Sequence, residues 1–425
     1  MTMSLLPSRT TVVAGTPAGR DRAVDVARLA SLLVVMLGHC ALLLATVDGD
    51  GVHIANLLGA LPGVDAITWV LQVMPLFFLA GGAAGAYGYT TGNAWGAWLM
   101  RRGQRLLRPV FWYLLLWAAA LCGIRLVLGP ESAAAVGQEC VALLWFLGVY
   151  VVVLAFVPAL CRMRSARCAA AVVAALLVLT AAFDGLRISQ ASAAAGMPNL
   201  LIVWLIPAAI GVAYARRLIT VRVAACGAVT ALTAQVALAI VGPYDLSLVV
   251  TGAEHVSNVS PPTLLLALHC VWMSLGFVMI AGPLRRLAAR PRLWYAVAVG
   301  NGGAMTLYLW HIPVIALAAF ALHYLGSDAY EPHASGFWPA LALREAVFAV
   351  LMFVAFLSLS PLEHRRLPWW DRPSGGAHSA CAGVLLVCAG VALLLTAKSG
   401  LGTVTGWESL AAFLILTTAA RICAR

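Results

Sequence analysis

Apolar runs of about 20 residues alternate with short polar breaks along most of the chain. A helix of that length, rising about 1.5 Å per residue, crosses about 30 Å of hydrocarbon. The pattern predicts spans over 27–46, 66–90, 109–128, 141–160, 169–183, 199–215, 223–242, 262–284, 296–323, 341–361, 380–397 and 407–421. The expected fold is therefore all-α: a polytopic integral membrane helical bundle with ten core transmembrane helices and a C-terminal two-helix hairpin. The hairpin follows the polar linker "EHRRLPWWDRPSGGAHS" and contains almost no side chain suited to chemistry. The chain then divides into a disordered cytoplasmic tail (1–22), a membrane core (23–373) and the hairpin (374–425). No break between spans is long enough for a separate soluble domain. Three loops, Val47 to Asp65, Asp184 to Asn199 and Pro243 to Pro262, are longer or more polar than the rest. Loops held on a rigid scaffold are where an external substrate is selected.

Composition agrees with this pattern. The chain is 63% hydrophobic and 10% charged, with mean hydropathy +0.95, against about 25% charged residues in a soluble domain. The net charge of +11 does not indicate a nucleic-acid partner, because the arginines form short clusters at span ends instead of one basic face. The clusters fall at every second loop, and the loops between them hold only Arg125, Arg187, Arg344 and Lys398. Positive-inside bias then places both termini in the cytoplasm of a multi-pass protein of the cell membrane, in contact with its lipids. The tail "MTMSLLPSRTTVVAGTPAGRDR" has no signal-peptide core, so the first span is expected to be retained. The ten cysteines include no C-x-x-C pair and mostly sit in apolar runs, which suggests neither a disulfide framework nor a metal site.

The first span, "DVARLASLLVVMLGHCALLLA", carries Arg28 and His39. Eleven residues is close to three helical turns, so both lie on one face, about 16 Å apart along the axis. Asp25, Leu32 and Val35 share that face. An intramembrane ionisable residue is a functional hypothesis by default, and a desolvated neutral imidazole accepts a proton. The competing reading is a histidine bonded to a neighbouring helix, with Arg28 snorkelling to the interface. Cys40 is rotated about 100° from His39, which disfavours a Cys-His nucleophile pair within the helix.

The segment "RAVDVARLASLLVVMLGH" resembles the first-helix signature of the acyltransferase family 3 membrane proteins, including the Arg-x10-His spacing. The resemblance continues in "MPLFFLAGGAAG", "RRGQRLLRP", "LWFLGVYVVV" and "NGGAMTLYLWHIP", in family order. It implies ten core helices and transfer of an acyl group, often acetyl, from cytoplasmic acyl-CoA to a hydroxyl of a sugar, cell-envelope glycan or natural product. Carried over, His39 is the catalytic histidine, Arg28 its motif arginine, and Arg101, Arg105 and Arg108 the basic motif. At i, i+4 and i+7 these three share one face if the segment is helical, and guanidinium forks suit the phosphates of coenzyme A. His311 with Tyr308 matches "YL-x-H-x-P" and either positions the acceptor or binds a backbone carbonyl. Trp145, in "LWFL", is either a substrate-binding residue or an interfacial tryptophan without a function, and Asn258 with Pro261 and Pro262 shapes the outer mouth near the acceptor. Two departures stand out. Ala80-Gly81 replaces the serine-glycine pair of many relatives, and the basic motif reads in two registers, Arg101-x3-Arg105 or Arg105-x2-Arg108. No metal is implied. In the expected reaction His39 acts as general base, with a covalent acyl-histidine as an open alternative. The rival class is a transporter or exporter of a small polar or lipid-linked molecule, with His39 and His311 lining its path.

Overall fold

The computed structural model describes residues 7–48, 51–61, 63–90, 92–250, 256–327, 331–374 and 378–424. A short helix, α1 (Arg9–Ala14), precedes the first long one, α2 (Arg22–Leu42). An antiparallel hairpin of β1 (Leu43–Asp48) and β2 (Gly51–Asn56) follows, pairing Leu43 with Asn56 and Asp48 with Gly51. Short helices α3 (Leu57–Ala60) and α4 (Thr68–Leu71) lead to α5 (Met74–Tyr87), α6 (Trp95–Cys140), α7 (Leu144–Leu160) and α8 (Ala166–Ser189). Then come α9 (Asn199–Ala215), α10 (Val221–Val241), α11 (Leu264–Leu287), α12 (Pro291–Gly302) and α13 (Ala304–Tyr324). The chain closes with α14 (Phe337–His364), α15 (Ser379–Ser399) and α16 (Val404–Cys423). Among the described residues, 11 helical stretches are long and apolar enough to cross a membrane, and each matches an expected span. The last expected span is helical too, as α16, but is less apolar, carrying Glu408 and Arg421. The fold is an all-α polytopic bundle, with one small two-stranded hairpin as its exception among the described residues.

Four local differences from the sequence reading have physical causes. Helix α2 stops at Leu42 instead of continuing to residue 46, because "LLATVD" and "GVHIAN" are separated by the two residues Gly-Asp, a sequence that favours a hairpin. Helix α6 begins at Trp95, well before 109, so the basic motif lies inside it; the helix breaks at Gly129 (φ 88°), immediately before Pro130. The span expected over 296–323 is two helices divided at Gly303, where any Cβ would strike the Phe356 ring. The tail expected to be disordered contains α1, whose N-cap Ser8 accepts from the Thr11 amide. It is fastened to α12: Trp294 donates to the Thr16 hydroxyl (2.8 Å), and Arg22 lies over the Trp294 ring.

Two compact units emerge. The first comprises Met1–Ala84 and Met163–Ser358. Its central helix is α9, largely buried, while α8 and α10 lie at the outside. Helices α5 and α9 cross at backbone contact: a Cβ on Gly82 would meet the Ala208 carbonyl, and one on Gly211 the Leu79 carbonyl. Helices α2, α13 and α14 share an apolar core of Leu32, Met36, Leu307, Ile315, Phe348 and Met352. The second unit comprises Gly85–Arg162 and Leu359–Arg425. The C-terminal hairpin belongs to it, with α15 lying along α6 and α7.

Candidate active site

Helix α2 begins under tight local control. The Asp21 carboxylate accepts from the Ala23 amide, Arg20 grips Asp25 through two bonds of 2.6 and 3.0 Å, and Asn301 of α12 donates to the Asp25 carbonyl. Arg28, one turn further on, is half-buried and makes no hydrogen bond or ion pair among the described residues. Its guanidinium donors are unengaged among the described residues.

Three turns along the same face, His39 meets α13. Its Nδ1 lies 2.9 Å from Nε2 of His311, and the two rings stack with centroids 5.2 Å apart. His311 is fully buried, and its Nδ1 lies 2.8 Å from the Tyr308 carbonyl oxygen. That oxygen can only accept, so Nδ1 of His311 carries the hydrogen. In the neutral ring, Nε2 of His311 is then the acceptor, and Nδ1 of His39 is the donor. The chain of bonds thus assigns both tautomers and leaves the lone pair of His39 on Nε2. Among the described residues nothing hydrogen-bonds that nitrogen, and His39 itself is only half-buried. A base fixed in tautomer and orientation by a second group is the arrangement that proton abstraction from a hydroxyl needs.

Of the two readings left open for His311, the structure shows the backbone-carbonyl bond, and it adds a bond to His39. Tyr308 sits beside it, ring centroids 6.4 Å apart. Asn258 is buried with its amide fully engaged: Nδ2 donates to the Asp245 and Ser247 carbonyls, and Oδ1 accepts from the Thr263 hydroxyl. Its hydrogen bonds hold the α10–α11 loop in shape. The same loop is tied down by Arg187, which donates to the Ser257 and Pro261 carbonyls, and by Tyr244, whose hydroxyl donates to Asp184 (2.6 Å). Burial and this carboxylate push the Tyr244 phenol well above its ordinary range.

In the second unit the basic motif lies within helix α6, which meets the condition for its three arginines to share one face. Arg101 and Arg105 are exposed and make no hydrogen bond or ion pair among the described residues. Arg108 differs: its Nε and Nη2 fork onto the Asp371 carboxylate at 2.6 to 3.0 Å. Trp145 is half-buried near the start of α7, edge-on to Phe146. Among the described residues no cluster of three or more His, Cys, Asp or Glu side chains is placed to hold a metal.

One buried cation escaped the sequence reading. Arg344, counted there with the sparse loop charges although the expected span 341–361 includes it, lies inside α14, 3% exposed, and its Nη2 donates to the Cys40 carbonyl at 2.6 Å. The available signal was its place in the helical stripe Phe337, Leu341, Phe348, Met352 and Phe356, where a charge is out of keeping.

A family profile described as an acyltransferase domain, that of acyltransferase family 3, matches residues 21–362. The chain belongs to that family and is a multi-pass membrane acyltransferase. No curated protein and no solved structure matches it. The family match contains α2 through most of α14, with His39, His311 and the basic motif, and leaves α15 and α16 outside.

Proposed function

We propose that this acyltransferase moves an acyl group, in the simplest case acetyl, from cytoplasmic acyl-CoA to a hydroxyl of a sugar, cell-envelope glycan or natural product. His39 is the general base. As the acceptor oxygen attacks the thioester carbonyl, Nε2 of His39 takes the hydroxyl proton; the new C–O bond forms, the C–S bond breaks, and the departing thiolate recovers the proton from Nε2. Hydrogen bonding through His311 to the Tyr308 carbonyl keeps Nδ1 protonated and Nε2 available throughout. Arg28 presents unengaged guanidinium donors to the polar arm of the donor, and the exposed Arg101 and Arg105 suit its phosphates. With the clustered arginines on the cytoplasmic side of the cell membrane, both termini face the cytosol. The observation that carries this reading is the continuous bond from His39 through His311 to the Tyr308 carbonyl, which leaves Nε2 of His39 as an unengaged proton acceptor.

The test is turnover of radiolabelled acetyl-CoA by detergent-purified protein, wild type beside His39→Ala, with membrane lipid and sugar extracts as acceptors. Label passing to an extract component with wild type alone is the expected result. Equal transfer by both proteins refutes the base assignment. Absence of acetyl-CoA binding by folded wild type refutes the donor.

A further inference from the structure

Arg344 is not part of the reaction scheme above, yet its environment is expensive. A guanidinium at 3% exposure within a membrane-spanning helix must be compensated by strong partners. The usual escape, snorkelling along the stem to the membrane surface, is not taken. The side chain instead turns inward and meets the Cys40 carbonyl at 2.6 Å, with the Ala41 carbonyl at 3.5 Å. No carboxylate forms a salt bridge with it among the described residues. Its Nε has no hydrogen-bond partner there either; the adjacent Glu345 carboxylate supplies a Coulombic attraction, and the hydrogen bonding that compensates the guanidinium is made to α2.

Those carbonyls belong to the last turn of α2, whose C=O groups have no intrahelical amide to meet. The Leu43 amide reaches back to the His39 carbonyl, and Arg344 takes the next two. A cation at a helix C-terminus also complements the helix dipole. The turn secured in this way is the one that bears His39. Without Arg344 it would join directly onto β1 and fray, as helix ends do. Proton transfer tolerates little misplacement of the base.

We propose that Arg344 is a positioning residue for His39: by capping the final turn of α2 through the Cys40 carbonyl, it holds the imidazole in register with His311 and Nε2 in line with the acceptor hydroxyl. The proposal rests on the reading of His39 as the base, and the experiment separates the two. His39→Ala, Arg344→Gln and Arg344→Lys are purified beside wild type, checked for monodispersity and thermal unfolding, and assayed with acetyl-CoA and the isolated acceptor. Arg344→Gln is expected to lower kcat by about tenfold or more with both KM values essentially unchanged, because orientation and not ground-state binding is lost. Arg344→Lys, which keeps the charge but not the fork, falls between Gln and wild type. A wild-type kcat in Arg344→Gln, or a parallel rise in KM, overturns the positioning role while an inactive His39→Ala leaves the base assignment standing. Activity surviving in His39→Ala sinks the base assignment itself. Should Arg344→Gln fail to fold, Arg344→Lys decides: reduced kcat at constant KM supports the role, and wild-type kcat overturns it.

Discussion

His39 and His311, 272 residues apart in sequence, are joined by one bond of 2.9 Å between Nδ1 and Nε2. Its direction is set from outside the pair, by the Tyr308 carbonyl on the far side of His311. The arrangement resembles a base with an orienting partner, except that a backbone carbonyl takes the outermost position. It adds no fixed charge to a site within the bundle, where one would be costly.

The two histidines should act as one unit. His39→Ala is expected to reduce transfer by about 10²–10⁴-fold. His311→Ala retains the base but frees its tautomer, so a smaller loss, about tenfold or more, is expected. The double variant should be no worse than His39→Ala alone, and single-turnover rates for the three proteins test this non-additivity.

Arg108 and Asp371 form a two-pronged pair with side chains 18% and 8% exposed, and Asp371 also accepts from the Leu367 amide at 2.8 Å. A double-variant cycle of Arg108→Gln and Asp371→Asn should yield a coupling of about 1–3 kcal/mol in SDS-induced unfolding. Arg108→Lys should recover only part of it, having no fork to offer. Coupling near zero would show that the pair contributes nothing to the second unit.

The Tyr244 phenol is raised in the folded state by burial and by Asp184. A group whose folded value is raised contributes stability that is fully present below its unfolded value, about pH 10 for tyrosine, and is lost as pH climbs toward the folded value. Thermal unfolding in detergent should therefore weaken above about pH 10, and Tyr244→Phe should flatten that limb. Because Asp184 also accepts from the Leu264 amide at the start of α11, protease cleavage in the 242–263 segment should increase in the same range.

Much of this organisation was readable from the sequence, for identifiable reasons. Span number and the shared face of Arg28 and His39 follow from hydropathy and the helical period, which are local properties. Contacts between distant segments do not follow from such properties. His39 has many possible neighbours in the linear chain, and nothing nearby in sequence singles out His311. Asp371 sits in a linker that reads as polar spacer, so its claim on Arg108 was invisible. Arg344 falls inside the span expected over 341–361, but it read as one of the sparse charges between basic clusters because hydropathy does not tell which helix face is buried. The buried stripe of α14 (Phe337–His364) emerges only from its packing with α2 and α13. The hairpin after Leu42 was missed for the opposite reason: its residues are apolar enough to prolong the preceding span.

The C-terminal hairpin lies beyond the family match, yet α6 and α7 are shaped around it. Gly96 and Gly148 face α15 so closely that a Cβ on either would strike the backbone at Ser379 or Gly390, and Gly383 returns the contact against Trp95. Truncating the chain where the family match ends would therefore not release a minimal enzyme. It would open a trough floored by glycine backbone that lipid tails fill poorly, and residues 374–425 are better regarded as a permanent internal subunit than as an appendage.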